Sequence, residues 1–533
     1  MNTIARSAFL SCAFLVLISL ATIFFRLGSL PLSGADEPRY ARIAQEMQQD
    51  HRWVTPTLEF KPWLEKPPLY YWITVPIYSL LGTTETAARL GPALLGLASA
   101  LAILWLGTQL WSRLAGLLGA SILLTSLGFV AFARGASTDM PMAACLTIAL
   151  AILAAAAAKK DFPGWNVLPA YAFLGFSVLA KGPVAVILAA GILILFWLFD
   201  ERGGSLRRWH VVSGLVLTTA VSVPWFWLAF RENGFGFIAT FFINHNIARY
   251  VSDIHHHTEP IYYFIPVILG MFFPWTAWLL LLVPRSIVDE VRKWRLWSPG
   301  ALFLLCWLVF PLVFFSLSSS KLAGYVLPTL PPLALLLGVG LSKALTVENR
   351  PRAPILAAWV YLLFSAGIAI AVPLVFQESF GGALKTGLIL SSAVLLPAFF
   401  GFHFGRKGRW TAVFAATLFQ GLIVVTAVAL FAFPVIGRYN STREIAQQAL
   451  AHDKDGAPIV TFFFFHHTLH YYTGYKVAED FTDLGSLLLF AKAHRRVLVI
   501  MQADHVPYGV PMQNLAIKVL GAQGDLCLLE LSY

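Results

Sequence analysis

Residues 140–158 read MPMAACLTIALAILAAAAA, a run of 19 residues without a charge. A helix of this length rises about 28 Å, which is close to the thickness of the hydrocarbon core of a bilayer. The run therefore predicts a transmembrane helix, and similar runs recur along the chain. Of the 533 residues, 58% are hydrophobic and only 12% are charged, with a mean hydropathy of +0.72. This composition excludes an ordinary soluble globular protein.

About thirteen such runs are separated by polar connections, and they predict an all-α polytopic membrane protein. The predicted spans are residues 7–26, 87–110, 114–132, 140–158, 167–180, 183–199, 210–230, 261–283, 299–317, 323–341, 354–376, 384–403 and 411–433. The pair at 167–199 is one long apolar stretch that Lys181-Gly182-Pro183 interrupts.

Lysine and arginine are concentrated in alternate connections between these runs. If the N-terminus is cytoplasmic, the basic clusters at 159–160, 202–208, 285–295, 343–352 and 406–409 all lie inside. The short outer connections hold little beyond Arg134, Lys181 and Lys321. Positive loops stay in the cytoplasm, so this asymmetry predicts the orientation and explains the net charge of +11 without nucleic acid.

Three long segments then fall on the outer side: residues 27–86, residues 231–260 and the chain from 434. We expect a transmembrane domain over 1–433 that carries the first two as outer loops. Residues 434–533 are of mixed polarity and predict a small soluble α/β domain. Its first helix is expected at 441–450, where Ser441 and Glu444 have capping-box spacing, with strands at 458–465 and 496–502.

The first outer loop begins with ADEPRYARIAQEM at 35–47. Its periodicity predicts an interfacial helix with Tyr40, Ile43 and Met47 on one face and Arg42 with Glu46 on the other. Asp36 and Glu37 stand at the start of this helix. A carboxylate there can cap the helix or serve chemistry, and the residues alone leave both readings open.

Further ionisable residues lie at the same surface. WLEKPPLYYW at 63–72 holds Glu65 and Lys66, which are either an exposed ion pair or a site where the lysine meets a lipid phosphate. Asp139 begins the fourth span, where a charge is costly and usually faces a water-filled cavity.

The last two motifs complete that surface. FFINHNIARY at 241–250 and DIHHHTEPIYYF at 253–264 contain Arg249 and His257, although consecutive histidines cannot easily point at one metal ion. In SSSKLAGYVLP at 318–328, the spacing of Lys321 and Tyr325 predicts that they share a helical face. Acidic and basic groups gathered at one surface, rather than spread to the midplane of the helices, favour an enzyme over a transporter.

In this order, DEPRYA, EKPPLYYW, AKGP at 180–183, NIARY with HxxPxYY, and SKLAGYVLP resemble the bacterial branch of the protein mannosyltransferase superfamily, glycosyltransferase family 39. The nearest well-known members are the lipid A aminoarabinose transferases, and the motifs cover about residues 1–345. The resemblance implies a GT-C glycosyltransferase of the bacterial inner membrane. It would use an undecaprenyl phosphate-linked sugar as donor, with its site and C-terminal domain in the periplasm.

The resemblance also implies roles for single residues. Asp36, with Glu37 and Asp139, would form the catalytic group, and Lys66 with Arg249 would bind the donor phosphate. The substrate cavity would be lined by Arg39, Tyr40, Glu65, His257, Lys321 and Tyr325. Cations can stabilise the phosphate as it leaves the anomeric carbon. An ionised lipid A phosphate needs no general base, so Asp36 would then bind and orient the sugar.

The chain departs from the aminoarabinose transferases at two places. They carry Glu-His where this chain has His245-Asn246, and tyrosine where it has Trp63. Zinc-binding members pair that histidine with the glutamate that corresponds to Glu65, so the sequence leaves open whether a divalent cation binds. Two alternatives to lipid A modification stay open: a protein O-mannosyltransferase-like enzyme acting on Ser or Thr, and a transporter or flippase of a lipid-linked substrate.

Overall fold

The computed structural model describes residues 3–159, 161–200, 208–248, 259–282, 298–346, 354–453, 455–505 and 515–533. Each predicted span coincides with helix. Within these ranges nine helices are long and apolar enough to cross a membrane. They are Arg6–Phe24, Glu85–Leu110, Asp139–Ala158, Val211–Asn233, Pro299–Ser316, Ala323–Leu345, Ile355–Ser379, Leu384–Arg406 and Trp410–Asn440.

The other four predicted spans are bent or short. Arg113–Thr125 and Leu127–Ala133 meet at 69°, and Phe264–Met271 and Thr276–Leu282 meet at 105°, so each pair is one broken span or a re-entrant loop. Leu168–Lys181 and Val184–Phe199 have only 14 and 16 residues. The break between them falls at Gly182-Pro183, where glycine takes a positive φ and proline cannot continue the hydrogen-bond ladder.

The span Asp139–Ala158 lies at the centre of the bundle, with 89% of its apolar window buried. It packs against Glu85–Leu110 on one side and Leu168–Lys181 on the other. Its alanines let neighbouring backbones approach closely, since association in lipid depends on packing rather than on the hydrophobic effect. The central helix therefore holds its first residue, Asp139, in a fixed place.

Arg134 closes the C-terminal end of the first span. One guanidinium nitrogen donates to the carbonyls of Thr22, Ile23 and Phe25, each at 2.9 Å, and the other to that of Arg26 at 3.2 Å. The last carbonyls of a helix have no intrahelical donor and need a partner from elsewhere. A side chain that is only 8% exposed supplies the missing donors.

The first outer loop contains the helix Asp36–Asp50, named here the loop-1 helix, a short hairpin of β1 (Thr57–Leu58) and β2 (Lys61–Pro62), and the helix Leu69–Leu81. The expected apolar face of the loop-1 helix is buried, but so is its polar face. Glu46 is 0% exposed and accepts hydrogen bonds from Arg42 Nε, Thr57 Oγ1, and the amides of Glu59 and Phe60. The prediction of an interfacial helix is therefore wrong, because the hairpin folds over the Glu46 carboxylate.

A five-stranded sheet forms the C-terminal unit, residues 441–533. Its strands are β3 (Ile459–Phe462), β4 (Val477–Phe481), β5 (Arg496–Gln502), β6 (Ala516–Gln523) and β7 (Leu526–Ser532), in the order β4-β3-β5-β7-β6. Strand β3 pairs in parallel with both β4 and β5. Strand β7 pairs antiparallel with β5 on one side and with β6 on the other. Helices Arg443–His452, His467–Tyr472 and Leu484–His494 accompany the sheet. The span before this unit continues as helix to Asn440, seven residues beyond the predicted end.

The predicted capping box at Ser441 and Glu444 is wrong. The helix takes Thr442 as its N-cap, without a side-chain capping bond. Its first-turn amide at Ile445 instead donates to Oε1 of Gln523, from the last residue of β6, at 2.7 Å. A distant strand thus satisfies the donor that a local capping box would have used.

Replacing Glu46 by glutamine tests the hairpin contact. The amide keeps the size of the side chain but turns an NH2 group toward backbone donors and leaves Arg42 without its carboxylate. We expect Glu46→Gln to lower the free energy of unfolding by about 2 kcal/mol, measured by thermal unfolding in detergent. Glu378→Gln, at an exposed glutamate in a span end, is the control and should change nothing. Equal stability of the two variants would contradict the assigned role.

Candidate functional site in the first outer loop

Glu37 anchors the start of the loop-1 helix. Its carboxylate accepts from Arg89 Nε at 2.9 Å and Nη2 at 2.7 Å, from the amide of Ala136 at 2.8 Å and from that of Ser33 at 3.0 Å. Burial alone raises the pKa of Glu37, but the Arg89 charge and these hydrogen bonds outweigh it, so the pKa lies below its ordinary value. Since all its acceptor positions are used within the protein, Glu37 is better assigned to holding the loop than to the catalytic group.

Asp36 is held beside this anchor and faces outward. Its side chain is 56% exposed and forms an ion pair with Arg39 Nη2 at 2.6 Å. The capping alternative is not supported, because the carboxylate bonds to Arg39 rather than to a backbone amide. Arg39 also donates to the carbonyl of Ala35 and lies 5.2 Å from the centre of the Trp63 ring.

Asp139 forms the second acidic position, at the first turn of the central span. It pairs with Nζ of Lys181, the last residue of the helix Leu168–Lys181. The same ammonium lies 5.5 Å from the centre of the Tyr325 ring. Both partners of the ion pair are about one-fifth exposed, so the pair is not sealed within the packed interior.

Three tyrosines of the first outer loop pack against one another. The ring of Tyr40 lies 6.1 Å from that of Tyr70 and 6.3 Å from that of Tyr71. Burial raises the pKa of Tyr40, and the charges of Asp36 and Asp139 raise it further. Tyr40 is therefore a buried, neutral phenol of the loop-1 helix, packed against Tyr70 and Tyr71.

Glu65 and Lys66 follow β2 in a turn that Pro67-Pro68 stiffens. Oε1 of Glu65 lies 3.7 Å from Nε2 of His245. The histidine that is displaced by one position in the sequence therefore still reaches Glu65. The helix Ile238–Ala248 that carries it is a π-helix, whose wider turn changes the register of the side chains.

A divalent cation would need more ligands than this pair. In the described part of the chain no group of three or more His, Cys, Asp or Glu side chains could hold a metal ion. Among the described residues, Glu65 and His245 are therefore too few to make up a zinc site.

Lys321 and Tyr325 lie near the Asp139–Lys181 pair, but not as predicted. Lys321 precedes the helix and donates to the carbonyl of Ser318 at 2.7 Å. A 3₁₀-helix begins only at Ala323, and the α-helix begins at Leu330. The i, i+4 argument is therefore wrong, because Leu322 is extended. Arg249 and His257 fall outside the described residues.

Lys181 pairs with Asp139, although the sequence predicted no role for it. The available signal was a lysine at a break in a long apolar stretch, where a charge needs a partner. His467 was missed altogether. It lies close enough to Arg39 and Asp36 for both charges to act on its pKa, although it is more than 400 residues away in the chain.

The C-terminal unit brings His467 there by docking on the first loop. The hydroxyl of Tyr472 donates to Glu85 Oε1 at 2.9 Å and accepts from the amide of Leu32 at 2.8 Å. The Tyr475 ring lies 4.4 Å from the guanidinium of Arg42. The first loop and the C-terminal unit consequently share one side of the bundle.

This docking should weaken in acid. Burial, then Arg39, His466 and His470, lower the pKa of half-buried His467 to about 4, while Asp36 opposes them. A histidine with a lower pKa in the docked state binds its proton more weakly there, so docking is full above about pH 6.5 and weakens as pH falls toward 4. Hydrogen exchange of residues 467–472 should rise as the pH falls through this window, after correction for the intrinsic exchange rate.

The variant His467→Gln should lose much of this pH dependence. Its control is His494→Gln, at an exposed histidine in the same unit, which should keep the dependence of the parent chain. Protection that is the same at both ends of the pH window in the parent chain would contradict the assignment.

Comparison with known proteins shows which of them this chain resembles. A family model described as dolichyl-phosphate-mannose-protein mannosyltransferase matches residues 65–227. The chain is 31% identical over 419 residues to the undecaprenyl phosphate-alpha-4-amino-4-deoxy-L-arabinose arabinosyl transferase of Pectobacterium carotovorum subsp. carotovorum (strain PC1), covering 76% of this chain and 70% of that enzyme. The corresponding enzyme of Pectobacterium atrosepticum is 30% identical over 389 residues, covering 69% and 68%.

Solved structures match over almost the whole chain. The crystal structure of ArnT from Cupriavidus metallidurans bound to undecaprenyl phosphate superposes with a TM-score of 0.78 and 25% identity, covering 97% of each chain. The archaeal oligosaccharyltransferase AglB from Archaeoglobus fulgidus shares the fold alone, with a TM-score of 0.53, 12% identity and coverage of 94% and 70%.

Proposed function

The chain belongs to the undecaprenyl phosphate-alpha-4-amino-4-deoxy-L-arabinose arabinosyl transferase family, and from this we propose that it transfers 4-amino-4-deoxy-L-arabinose from undecaprenyl phosphate to lipid A. It is a multi-pass membrane glycosyltransferase with the GT-C fold. The observation that carries the proposal is the match to the undecaprenyl phosphate-bound enzyme over 97% of the chain. Within it, Glu37 ties the start of the loop-1 helix, where Asp36 lies, to Ala136, three residues before Asp139.

The reaction is one displacement at the anomeric carbon. An oxygen of the acceptor phosphate forms the new bond, the bond to the carrier phosphate breaks, and its electron pair leaves with undecaprenyl phosphate. The acceptor oxygen is already ionised and carries no proton to remove. Attack opposite the leaving group inverts the anomeric carbon.

Cations near the leaving phosphate lower the barrier, because its negative charge grows as the bond breaks. We assign this role to Lys66 and, by its motif, to Arg249. Asp36 then binds the ammonium group of the sugar, for which it exchanges its present partner Arg39. Asp139 with Lys181, and Tyr325 against Lys181, form the far wall of the cavity.

A protein acceptor is the second candidate. The family model over 65–227 takes its description from protein mannosyltransferases, which favours a Ser or Thr hydroxyl as acceptor. A hydroxyl must lose its proton, so Asp36 would act as general base in that case. The flippase alternative differs from both, since it predicts that the substrate crosses the membrane unchanged.

We further propose the placement of the chain in the inner membrane. The N-terminus is cytoplasmic, and the loops 27–86 and 231–260 are periplasmic. Residues 1–433 form the catalytic transmembrane domain and 434–533 a periplasmic domain. The alternation of lysine and arginine supports this orientation. The docking of Tyr472 on Glu85 adds support, because it requires the first loop and the C-terminal unit to lie on the same side.

Purified protein in lipid tests the function. Given undecaprenyl phosphate-linked aminoarabinose, the wild-type chain should add the sugar's mass to lipid A and not to a Ser/Thr-rich peptide. Asp36→Asn should lower the rate by about 100-fold or more with unchanged thermal unfolding, because the amide cannot hold the ammonium group. Asp50→Asn, at the exposed far end of the same helix, is the matched control. Transfer of the sugar to the peptide would favour the protein acceptor. If neither lipid A nor the peptide gains the sugar, both proposed transfer reactions are wrong.

Replacing Lys66 tests the phosphate assignment. We expect Lys66→Ala to raise the KM for the donor and lower kcat/KM by about 10- to 100-fold, the range for a lost hydrogen bond to a charged group. Lys61→Ala, at an exposed lysine of the same hairpin, should leave both constants unchanged. If the two variants behave alike, Lys66 does not contact the carrier.

A further inference from the structure

Tyr70 and Tyr71 are adjacent, and neither side chain is exposed. Their hydroxyls differ. That of Tyr70 donates to the carbonyl of Ala88 at 2.8 Å, whereas that of Tyr71 has no hydrogen-bond partner among the described residues. A buried hydroxyl without a partner is uncommon and destabilising, so its retention calls for an explanation outside packing.

Tyr71 packs against Tyr40, a residue of the candidate site. Its ring stands edge-on to the rings of Tyr40, at 6.3 Å, and Tyr70, at 5.7 Å. Burial, Tyr70, and the carboxylates of Glu65 and Asp36 raise its pKa, so the phenol stays neutral and keeps its proton. Tyr71 therefore offers a hydrogen-bond donor near two carboxylates that it does not bond.

A second donor on the same wall is also unpartnered. Nε1 of Trp63 is buried without an acceptor in the described structure, and the Trp63 ring packs against the tyrosine cluster. Arg39 lies over this ring and pairs with Asp36. Two neutral donors without a partner among the described residues thus belong to the cluster beside Arg39 and Asp36.

We propose that Tyr71 is a sugar-binding residue whose hydroxyl donates to an oxygen of the transferred sugar, with Trp63 Nε1–H as a second donor. The proposal rests on the proposed function and extends it. Neutral donors beside a carboxylate suit a sugar that carries hydroxyl groups and an ammonium group. A phosphate dianion would be repelled by Glu65 and Asp36. The sugar reaches Tyr71 by taking the place of Arg39 at Asp36, and both of these side chains are partly exposed.

The two tyrosines supply a matched pair of variants, since each loses one hydroxyl. For Tyr71→Phe we expect kcat/KM for the donor to fall about tenfold, which is the scale of one hydrogen bond, while the Kd for sugar-free undecaprenyl phosphate stays the same. Thermal stability should not fall, because the lost hydroxyl has no hydrogen-bond partner in the described part of the chain. For Tyr70→Phe we expect the reverse: lower thermal stability, with kcat/KM unchanged for the folded enzyme.

Two outcomes overturn the proposal. If Tyr71→Phe leaves kcat/KM and the donor Kd unchanged, the hydroxyl does not contact the substrate. If the variant loses affinity equally for the donor and for sugar-free undecaprenyl phosphate, the hydroxyl lies at the carrier phosphate and not at the sugar. Failure of the proposed function is seen separately, as a wild-type chain that transfers nothing. In that case, the Kd of each tyrosine variant for the sugar-linked donor can still be compared with its Kd for sugar-free undecaprenyl phosphate. A loss of affinity for the donor alone in Tyr71→Phe would still show that Tyr71 binds the sugar.

Discussion

A buried ion pair between Arg89 and Glu37 fixes the geometry on which the site depends. Arg89 is only 2% exposed and also donates to the carbonyls of Leu27, Leu30 and Pro31, so one side chain gathers the chain as it leaves the first span. Glu37 passes the constraint on to Ala136, three residues before Asp139. A charge left alone at this depth would be costly, so the pair holds as a unit. Asp36 and Asp139 are therefore positioned relative to each other by the contact between Glu37, which follows Asp36, and Ala136, which lies three residues before Asp139.

The sequence predicted the parts that lipid controls. A helix must be long enough to cross the hydrocarbon core and has no water to bond its backbone, so run length alone located the helices of the membrane bundle, including the break at Gly182-Pro183. Motif order likewise placed Asp36, Tyr40 and Asp139 in one region. It could not separate Asp36 from Glu37, because adjacent carboxylates look alike until Arg89, some 50 residues later, selects one of them.

Predictions that relied on local spacing were less successful. The helix period put Arg42 and Glu46 on a solvated face, but the β1–β2 hairpin covers them. Ser441 and Glu444 had the spacing of a capping box, but Gln523 takes the donor. In each case a partner far away in the chain replaced the nearby one. The position of His467 beside Arg39 has the same origin, since no local pattern records which surface the C-terminal unit meets.

The contact of Arg134 with the end of the first span bears on how the protein is assembled during synthesis. The first helix enters the membrane with its terminal carbonyls unsatisfied, and their donor is made about 110 residues later. Arg134 in turn is costly in lipid until it finds those carbonyls. Each segment is therefore incomplete without the other, which favours early pairing of the two at the translocon. The ring of Phe433, at 5.3 Å from the guanidinium, can cover this joint only after the final span has been inserted.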